Sequence, residues 1–315
     1  MQRRDLLIAA ALSPLAVHAQ PRTTTIVVPF APGGIADITA RTVGEQLAKV
    51  IGETVVVENK PSAGSIVAAQ AVASAKADGH TLLLMSNANA VSVGLFRKLP
   101  YDPVKDFAPV GVIGSFDLGL FVPANSRFGT LKDLLAYAKA NPGKLNVGTI
   151  AVSSTQHLAA KLFETVAGID ALVVPYKGSP AVLTALRGGE IDLAFEIVGP
   201  MLPQVQAGAV KALAVSSSQR NPALPEVPTA QQAGVAGYDV ASWNALAAPA
   251  ATPADVVLKL NRALRDTLAD AGVQARLQKS GMRLAPGAPA ELQSLLAGEI
   301  RRWGDVIRAA KIDPE

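Results

Sequence analysis

The segment that decides the fold runs Ile26-Val27-Val28-Pro29-Phe30-Ala31-Pro32-Gly33-Gly34-Ile35-Ala36-Asp37. Its apolar start predicts a buried strand, its Pro/Gly centre a turn, and its end the first turn of a helix. Such a junction directs backbone N–H groups and the positive end of the helix dipole to the space above the strand. Because Gly33 and Gly34 carry no side chain that blocks approach, the segment is predicted to receive an anion.

The first residues have the pattern of an export signal. Arg3 and Arg4 precede a short apolar run, Leu6–Leu12, and a small-residue cleavage site ends at Ala19. The pattern predicts a signal peptide over residues 1–19 that is cleaved after Ala19. The apolar run is too short to span a bilayer as a helix. The paired arginines are compatible with twin-arginine export and equally with general secretion.

Composition narrows the classes of function. The chain has no cysteine, which excludes disulfides, thiolate nucleophiles and thiolate metal ligands. The formal net charge is +4, and removal of Arg3, Arg4 and Asp5 with the predicted signal leaves +3. No block of Lys and Arg resembles a nucleic-acid footprint, so we expect no nucleic-acid partner. A mild positive charge suits an anionic small ligand without deciding for one.

Strand-like and helix-like segments alternate along the chain, which predicts an α/β fold with parallel sheets. The roughly 300 residues after the signal suit two domains. We expect one lobe from 20–122 plus 226–315 and a second lobe from 123–225. In such sheets the ligand binds at the carboxyl ends of the strands, here in a cleft between the lobes.

Three segments carry further local predictions. Val110–Val122 is expected to hold two strand-like runs around Gly114–Asp117. The alanine-rich helix after Gly64 is expected to end at Ala77. A helix over Pro253–Leu268 is expected to take Thr252 as its N-cap, with proline at the first helical position.

A series of motifs resembles one known family, the tripartite tricarboxylate transporter receptors, or TctC/Bug-type periplasmic solute-binding proteins. The matches run in the family's order across nearly the whole mature chain, and together they are specific although each one is weak. They are Pro29–Gly34 with Asp37 and Ala40-Arg41, Val57–Pro61 with Ala63-Gly64, Asp78–Leu83, Leu99–Phe107, His157–Ala159, Val174–Gly178, Gly188–Asp192, Ala212–Val215, Ser242–Asn244 and Ala248–Ala250.

The resemblance implies a two-lobe, Venus-flytrap binding protein of type II-like architecture. It implies a monomer in the periplasm that captures a small organic acid for the permease subunits of a membrane transporter. It implies no enzymatic activity, no cofactor and no metal. The residues agree, because neither a Gly-x-Ser-x-Gly elbow, a P-loop, a zinc pattern nor a complete dinucleotide fingerprint is present. A periplasmic sensor that presents an organic acid to a signalling protein is the alternative.

Each candidate residue has a structural explanation beside the functional one. Phe30 is either core or a pocket wall, and Gly33 and Gly34 either permit the turn or offer backbone donors. Asp37 either orders the loop or contacts a donor of the ligand. The hydroxyls of Thr149–Thr155 either cap a helix or bind ligand. The predicted ligand-binding residues are Phe30, Pro32, Gly33, Gly34, Ala36, Asp37, Ser65, Ser153, Ser154, Thr155, Lys177 and Glu196.

The sequence departs from the family pattern in the loop opposite the glycine turn. Ile150, Ala151 and Val152 occupy positions where the family is usually glycine-rich, which predicts a more apolar and more crowded pocket. Glu196 stands where a shorter acid is expected, and Gly199 where proline is common. Dicarboxylates, tricarboxylates, acidic amino acids and aromatic acids all remain compatible. The crowded loop favours a ligand with an apolar or aromatic body and one principal carboxylate.

Overall fold

The computed structural model describes residues 22–152, 154–309 and 312–314. The predicted signal peptide and Ser153 lie outside the described residues. The strands are β1 (Thr23–Val28), β2 (Thr54–Asn59), β3 (Thr81–Ser86), β4 (Phe107–Pro123), β5 (Leu145–Ile150), β6 (Ala171–Tyr176), β7 (Leu193–Ile197), β8 (Val210–Val215), β9 (Ala241–Pro249) and β10 (Met282–Leu284). The α-helices are α1 (Ile35–Ile51), α2 (Ile66–Ala73), α3 (Asn87–Leu95), α4 (Leu131–Ala140), α5 (Thr155–Ala167), α6 (Ser179–Gly188), α7 (Val198–Gln206), α8 (Ala254–Ala269), α9 (Ala271–Lys279) and α10 (Pro289–Ala309).

The first lobe is built around the strand of the opening segment. β1 is parallel to β2 on one side and to β3 on the other, and Ile26 pairs with both Val57 and Leu82. Its side chains alternate between two cores, since Ile26 lies in one apolar cluster and Val27 in another. A strand buried on both faces explains the continuous apolar run that was visible in the sequence.

The two lobes share one long strand. In β4, residues up to Asp117 pair with β9, whereas the residues from Leu118 onward pair with β7 and β8. β5 is parallel to β6 and to β7, which completes the sheet of the second lobe. The predicted α/β two-lobe class is therefore correct. The predicted lobe boundaries at 122/123 and 225/226 stay a prediction, and strand pairing changes between Asp117 and Leu118.

Side chains join the two chain segments that cross between the lobes. The Ser216 hydroxyl accepts from the Leu118 N–H at 3.2 Å and lies 2.6 Å from the carbonyl oxygen of Val240. The buried Asp117 carboxylate accepts from Asn221 Nδ2 at 2.8 Å and from the guanidinium of Arg283. These bonds satisfy polar groups at the point where the backbone leaves one sheet for the other.

Several local predictions were wrong. The sheets are mixed instead of parallel, because β9 returns from the second lobe and runs antiparallel to both β3 and β4. The two runs expected in Val110–Val122 form one continuous strand, β4. α2 ends at Ala73, where the Ala75 N–H bonds the Val72 carbonyl and tightens the last turn.

The start of α8 also differs from the prediction. Pro253 is the N-cap, the helix begins at Ala254, and no side chain caps it. The Thr252 hydroxyl is buried and has no hydrogen-bond partner among the described residues. Four elements had no counterpart in the sequence prediction: α3, α7, α9 and β10. No helix in the described part of the chain is both long enough and apolar enough to cross a membrane.

A glycine contact brings the two lobes together. Gly199 in α7 lies against the Ser280–Gly281 backbone between α9 and β10, and a Cβ at position 199 would fall 1.6 Å from the Ser280 carbonyl oxygen. The atoms that would overlap belong to the backbone, which cannot move aside as the end of a flexible side chain can. Only glycine therefore fits at position 199 in this arrangement.

We predict that Gly199→Ala lowers the free energy of unfolding by about 1–3 kcal/mol through this overlap. The matched control is Gly188→Ala in α6, because a Cβ there has no neighbour within 4 Å. Urea unfolding monitored by circular dichroism measures both. Equal midpoints for the two variants would contradict the prediction.

Candidate functional site

A cavity of about 390 Å³ lies between the lobes. On one lobe its walls follow the carboxyl ends of β1, β2 and β3, and on the other those of β5, β6 and β7. Parallel strands present these ends, and the helices that follow them, at the same edge of a sheet. The lining residues are Pro29, Phe30, Ala31, Pro32, Gly34, Ile35, Ala36, Pro61, Ser62, Ala63, Ser86, Ile150, Ala151, Thr155, Gln156, Lys177, Gly178, Ser179, Pro180, Ile197, Ser242 and Asn244.

The glycine turn contributes to the first-lobe wall of the cavity. Phe30, Pro32, Gly34 and Ala36 all line the cavity. Gly34 is the N-cap of α1, in extended backbone and without a side-chain cap. The N–H groups of the first helical turn have no helix carbonyl before them to which they could donate. They can therefore donate to an oxygen of a ligand.

Gly33 and Asp37 do not line the cavity, because they bond to one another. The Gly33 N–H donates to Asp37 Oδ2 at 3.0 Å, and Gly33 has φ +83°, which favours glycine. Arg41 Nη2 lies 2.9 Å from Asp37 Oδ1. Burial raises the pKa of Asp37, but the bonds from Arg41 and Gly33 outweigh it and hold that pKa below its usual value. The ionised carboxylate thus orders the turn.

The second-lobe wall of the cavity includes the first residue of α5. Thr155 lines the cavity, and its Oγ1 lies 3.2 Å from Asn87 Nδ2 and 3.1 Å from Ser242 Oγ, both on the first lobe. Ser154 does not line it, because its hydroxyl accepts from the His157 N–H and donates to the Ile150 carbonyl as the N-cap. Ser154 therefore acts as a cap, whereas Thr155 joins the lobes inside the cavity.

The second-lobe wall is apolar where the sequence departs from glycine. Ile150 and Ala151 line the cavity beside Pro180 and Ile197. Lys177 lies at the rim, exposed, and no ion pair links it to a carboxylate within the described ranges. An apolar wall with a cation at its rim suits an anion that carries a hydrocarbon body.

Glu196 lies directly behind the lining and is fully buried. Its Oε2 accepts from Ser179 Oγ at 3.0 Å, from the Ile197 N–H at 3.2 Å and from Gln156 Nε2 at 3.3 Å. Its Oε1 has no hydrogen-bond partner in the part of the chain that the structure describes. Burial raises the pKa of Glu196 to about 7, against the opposing effect of those three donors.

His157 is bonded within the second lobe and lies outside the cavity lining. Its Nδ1 lies 3.1 Å from Thr149 Oγ1, and burial followed by the charge of Lys161 lowers its pKa to about 4. It is therefore neutral at physiological pH. Among the described residues, no group of three or more His, Cys, Asp and Glu side chains could hold a metal ion.

Ser65 does not reach the cavity. It is buried, its φ is +58°, and its neighbours Ser62 and Ala63 line the wall in its place. The sequence prediction missed Ser86, Gln156, Ser179, Ser242 and Asn244. Ser86 could have been found from its capping box with Asn89, which begins the unpredicted helix α3. Ser242 and Asn244 fall within a quoted motif, and only strand pairing brings them to the cavity.

Two titratable groups of the second lobe, the buried Glu196 and the partly buried His157, have opposite effects on how stability depends on pH. Between pH 4.5 and 7 the folded state keeps a proton on Glu196 that the unfolded chain releases, so stability falls as pH rises. Between pH 4 and 6.5 the unfolded chain binds a proton that His157 in the folded state does not, so stability rises. Each contribution is roughly 3 kcal/mol.

We therefore predict opposite pH profiles for two variants. Glu196→Gln should make the free energy of unfolding rise from pH 4 to 6.5, and His157→Gln should make it fall from pH 4.5 to 7. Urea titrations at half-unit pH intervals measure both profiles, and the double variant is the control, with neither slope. Parallel profiles of the two single variants would contradict this assignment.

Comparison with known proteins agrees with the geometry. Residues 39–312 match the family model described as "Tripartite tricarboxylate transporter family receptor". A protein from the tcbD-tcbE intergenic region of Pseudomonas sp. strain P51 is 37% identical over 97% of this chain and 94% of its own.

Solved structures with similar sequence identity to this chain share its fold. The periplasmic binding protein BugD superposes with a TM-score of 0.88 at 31% identity, over 93% of this chain and 99% of its own. A Rhodopseudomonas palustris protein with adipate gives 0.89 at 34%, with the same coverage. MatC from Rhodopseudomonas palustris with bound malate gives 0.85 at 35%, over 91% and 99%. The resemblance inferred from the motifs is confirmed, and the chain belongs to the tripartite tricarboxylate transporter receptor family of solute-binding proteins.

Proposed function

We propose that this protein captures a small carboxylate in the periplasm, in the cavity between its lobes, and delivers it to the permease subunits of a membrane transporter. The ligand has an apolar or aromatic body and one principal carboxylate. The observation that carries the proposal is the set of first-turn amides of α1, which border an otherwise largely apolar cavity at Gly34–Ala36.

The electrostatics of the cavity support an anion. The positive end of α1 reaches it from one lobe, and the first residues of α5 and α6, Thr155 and Ser179, reach it from the other. Lys177 adds a positive charge at the rim. Asp37 does not oppose the ligand directly, because Gly33 and Arg41 engage its carboxylate away from the lining.

The shape and chemistry of the walls support the apolar body. A volume of about 390 Å³ lies at the lower end of small-molecule sites. Phe30, Ile35, Ile150 and Ile197 contribute hydrocarbon surface on opposite sides. The adipate and malate in the two Rhodopseudomonas palustris structures are carboxylates, which supports the ligand class for a relative with the same fold.

Delivery to a permease requires that the bound and free forms differ. A ligand that touches both lobes favours the closed arrangement over the open one. The size of this shift equals the difference between the ligand's binding free energies for the two forms. Here the crossing at Asp117–Leu118 would act as the hinge. The predicted signal peptide supports export, and family membership supports the transporter as the recipient.

A thermal-shift screen tests the ligand class. We expect aromatic and aliphatic monocarboxylates to raise the melting temperature, whereas the corresponding neutral amides do not, because the amide lacks the charge that the helix N-termini stabilise. Ligand at a hundred times its dissociation constant should add about 2.7 kcal/mol of stability. If no organic acid raised the melting temperature, the proposal would be wrong. Acid recovered unchanged after incubation would exclude turnover.

Gly34→Val tests the location of the site. Gly34 has φ −82°, and the nearest atom to a Cβ there is the Ala31 carbonyl oxygen at 3.8 Å, so valine fits without strain while covering the amides. We expect affinity to fall at least about a hundredfold, or roughly 3 kcal/mol, with an unchanged fold. Calorimetric titration of an acid found in the screen measures the loss.

The matched control for that substitution is Gly129→Val. Gly129 also precedes a helix, its nearest neighbour is Asp133 Oδ2 at 3.5 Å, and it lies outside the cavity lining. Unchanged affinity in the control with loss in Gly34→Val supports the site. Wild-type affinity in Gly34→Val would place the carboxylate elsewhere.

A further inference from the structure

Glu196 is a buried carboxyl group that the anion-binding role leaves unexplained. A carboxylate behind the wall of an anion site repels the ligand, and no cation compensates it. None of the ion pairs among the described residues includes Glu196. Its partners are instead neutral donors, the Ser179 hydroxyl and the Gln156 amide, and both of these residues line the cavity.

The hydrogen bond to Glu196 limits what the Ser179 hydroxyl can offer a ligand. Ser179 has one O–H, and at 3.0 Å it is donated to Glu196 Oε2. Its oxygen can then only accept from a group in the cavity. An ionised carboxylate, which accepts and never donates, fixes this direction. Glu196 therefore determines that Ser179 presents an acceptor to the ligand.

We propose that Glu196 is a positioning residue that holds Ser179 as an acceptor, and that the cavity thereby selects carboxylates that carry a hydroxyl on their apolar body. This inference rests on the proposed function and specifies its ligand class further. The carboxylate of the ligand binds the α1 amides, and its hydroxyl donates to Ser179.

The other charged groups on the elements around β7 are paired, neutral, distant from Ser179 or at the cavity rim. Glu196 is therefore the group whose protonation changes the direction of the Ser179 hydrogen bond. In β4, Asp117 is engaged by Arg283. In α5, Lys161 pairs with Glu164 at 2.6 Å and His157 is held neutral by its lowered pKa. Titratable side chains are absent from β5 and α7, and α6 carries only Arg187 in its last turn, away from Ser179. Lys177 precedes α6 at the cavity rim.

Protonation of Glu196 reverses the arrangement. The acid can donate its own proton, and the Ser179 hydroxyl becomes free to donate to the cavity. Since burial raises the pKa of Glu196 to about 7, the preference for a hydroxyl over a methoxy group, which accepts but cannot donate, should be strong at pH 8.5 and weaken at pH 5.5. A purely structural Glu196 would not make ligand preference follow pH.

Matched pairs of acids provide the test. Each probe is a hydroxy acid paired with its methyl ether, which accepts but cannot donate: 3-hydroxybutyrate with 3-methoxybutyrate, mandelate with O-methylmandelate, and malate with O-methylmalate, titrated calorimetrically at pH 8.5 and 5.5. In wild type we expect the hydroxy acid of the binding pair to bind about tenfold more tightly at pH 8.5, as one good hydrogen bond provides. In Glu196→Gln the preference should vanish at both pH values, because the amide donates to Ser179 and frees its hydroxyl.

Two further variants keep the outcome clear. Ser179→Ala should lose the preference at pH 8.5, and it decides the matter if Glu196→Gln does not fold. Glu164→Gln is the control, because Glu164 is a buried carboxylate of the same lobe outside the cavity lining. Binding without any hydroxyl preference, or a preference that survives in Glu196→Gln, overturns this inference alone. If no acid of any pair binds wild type, the proposed function fails with it.

Discussion

The rest of the structure depends on the crossing of β4 between the two sheets. One uninterrupted strand pairs with β9 up to Asp117 and with β7 and β8 from Leu118. Backbone polar groups at such a point must be satisfied locally, and Ser216 does so by bonding both Leu118 and Val240. Asp117, bound by Arg283 and Asn221, ties the same point to α9–β10 and to the segment after β8. The crossing therefore connects the sheets of the two lobes through one continuous strand.

The cavity follows from that arrangement. Because both sheets present the carboxyl ends of their parallel strands to the space between the lobes, the helices that follow begin at the cavity with their amides directed into it. Helix N-termini favour negative charge, and apolar side chains from both lobes favour a hydrocarbon body. The bonds of Thr155 to Asn87 and Ser242 close the same space with protein groups from opposite lobes.

Local signals in the sequence were sufficient for the first-lobe wall. The apolar run, the Pro/Gly turn and the helix of residues 26–37 all have sequence-local causes, and Phe30, Pro32, Gly34 and Ala36 of this segment line the cavity. Gly33 and Asp37, which were also predicted to bind ligand, lie outside the lining and bond to each other. Asp37 bonds Gly33 and Arg41 because of the orientation of its side chain. The hydrophobic periodicity of the sequence carries no information about side-chain orientation.

The second-lobe wall needed tertiary structure. Gln156, Ser179 and Glu196 are far apart along the chain, and only the packing of α5 and α6 against β7 joins them in one hydrogen-bonded group. Asn244 and Ser242 reach the cavity because β9 returns antiparallel between β3 and β4, a pairing that alternating α/β patterns do not predict.

The amino-acid sequence by itself determined the α/β two-lobe class, the family and the strand–turn–helix segment that borders the cavity, because these rest on local patterns and an ordered series of motifs. Tertiary structure decided which hydroxyls and amides face the ligand and which are already engaged by protein groups. The physical reason is that a donor or acceptor is available only if no neighbour has satisfied it, and those neighbours are set by long-range packing.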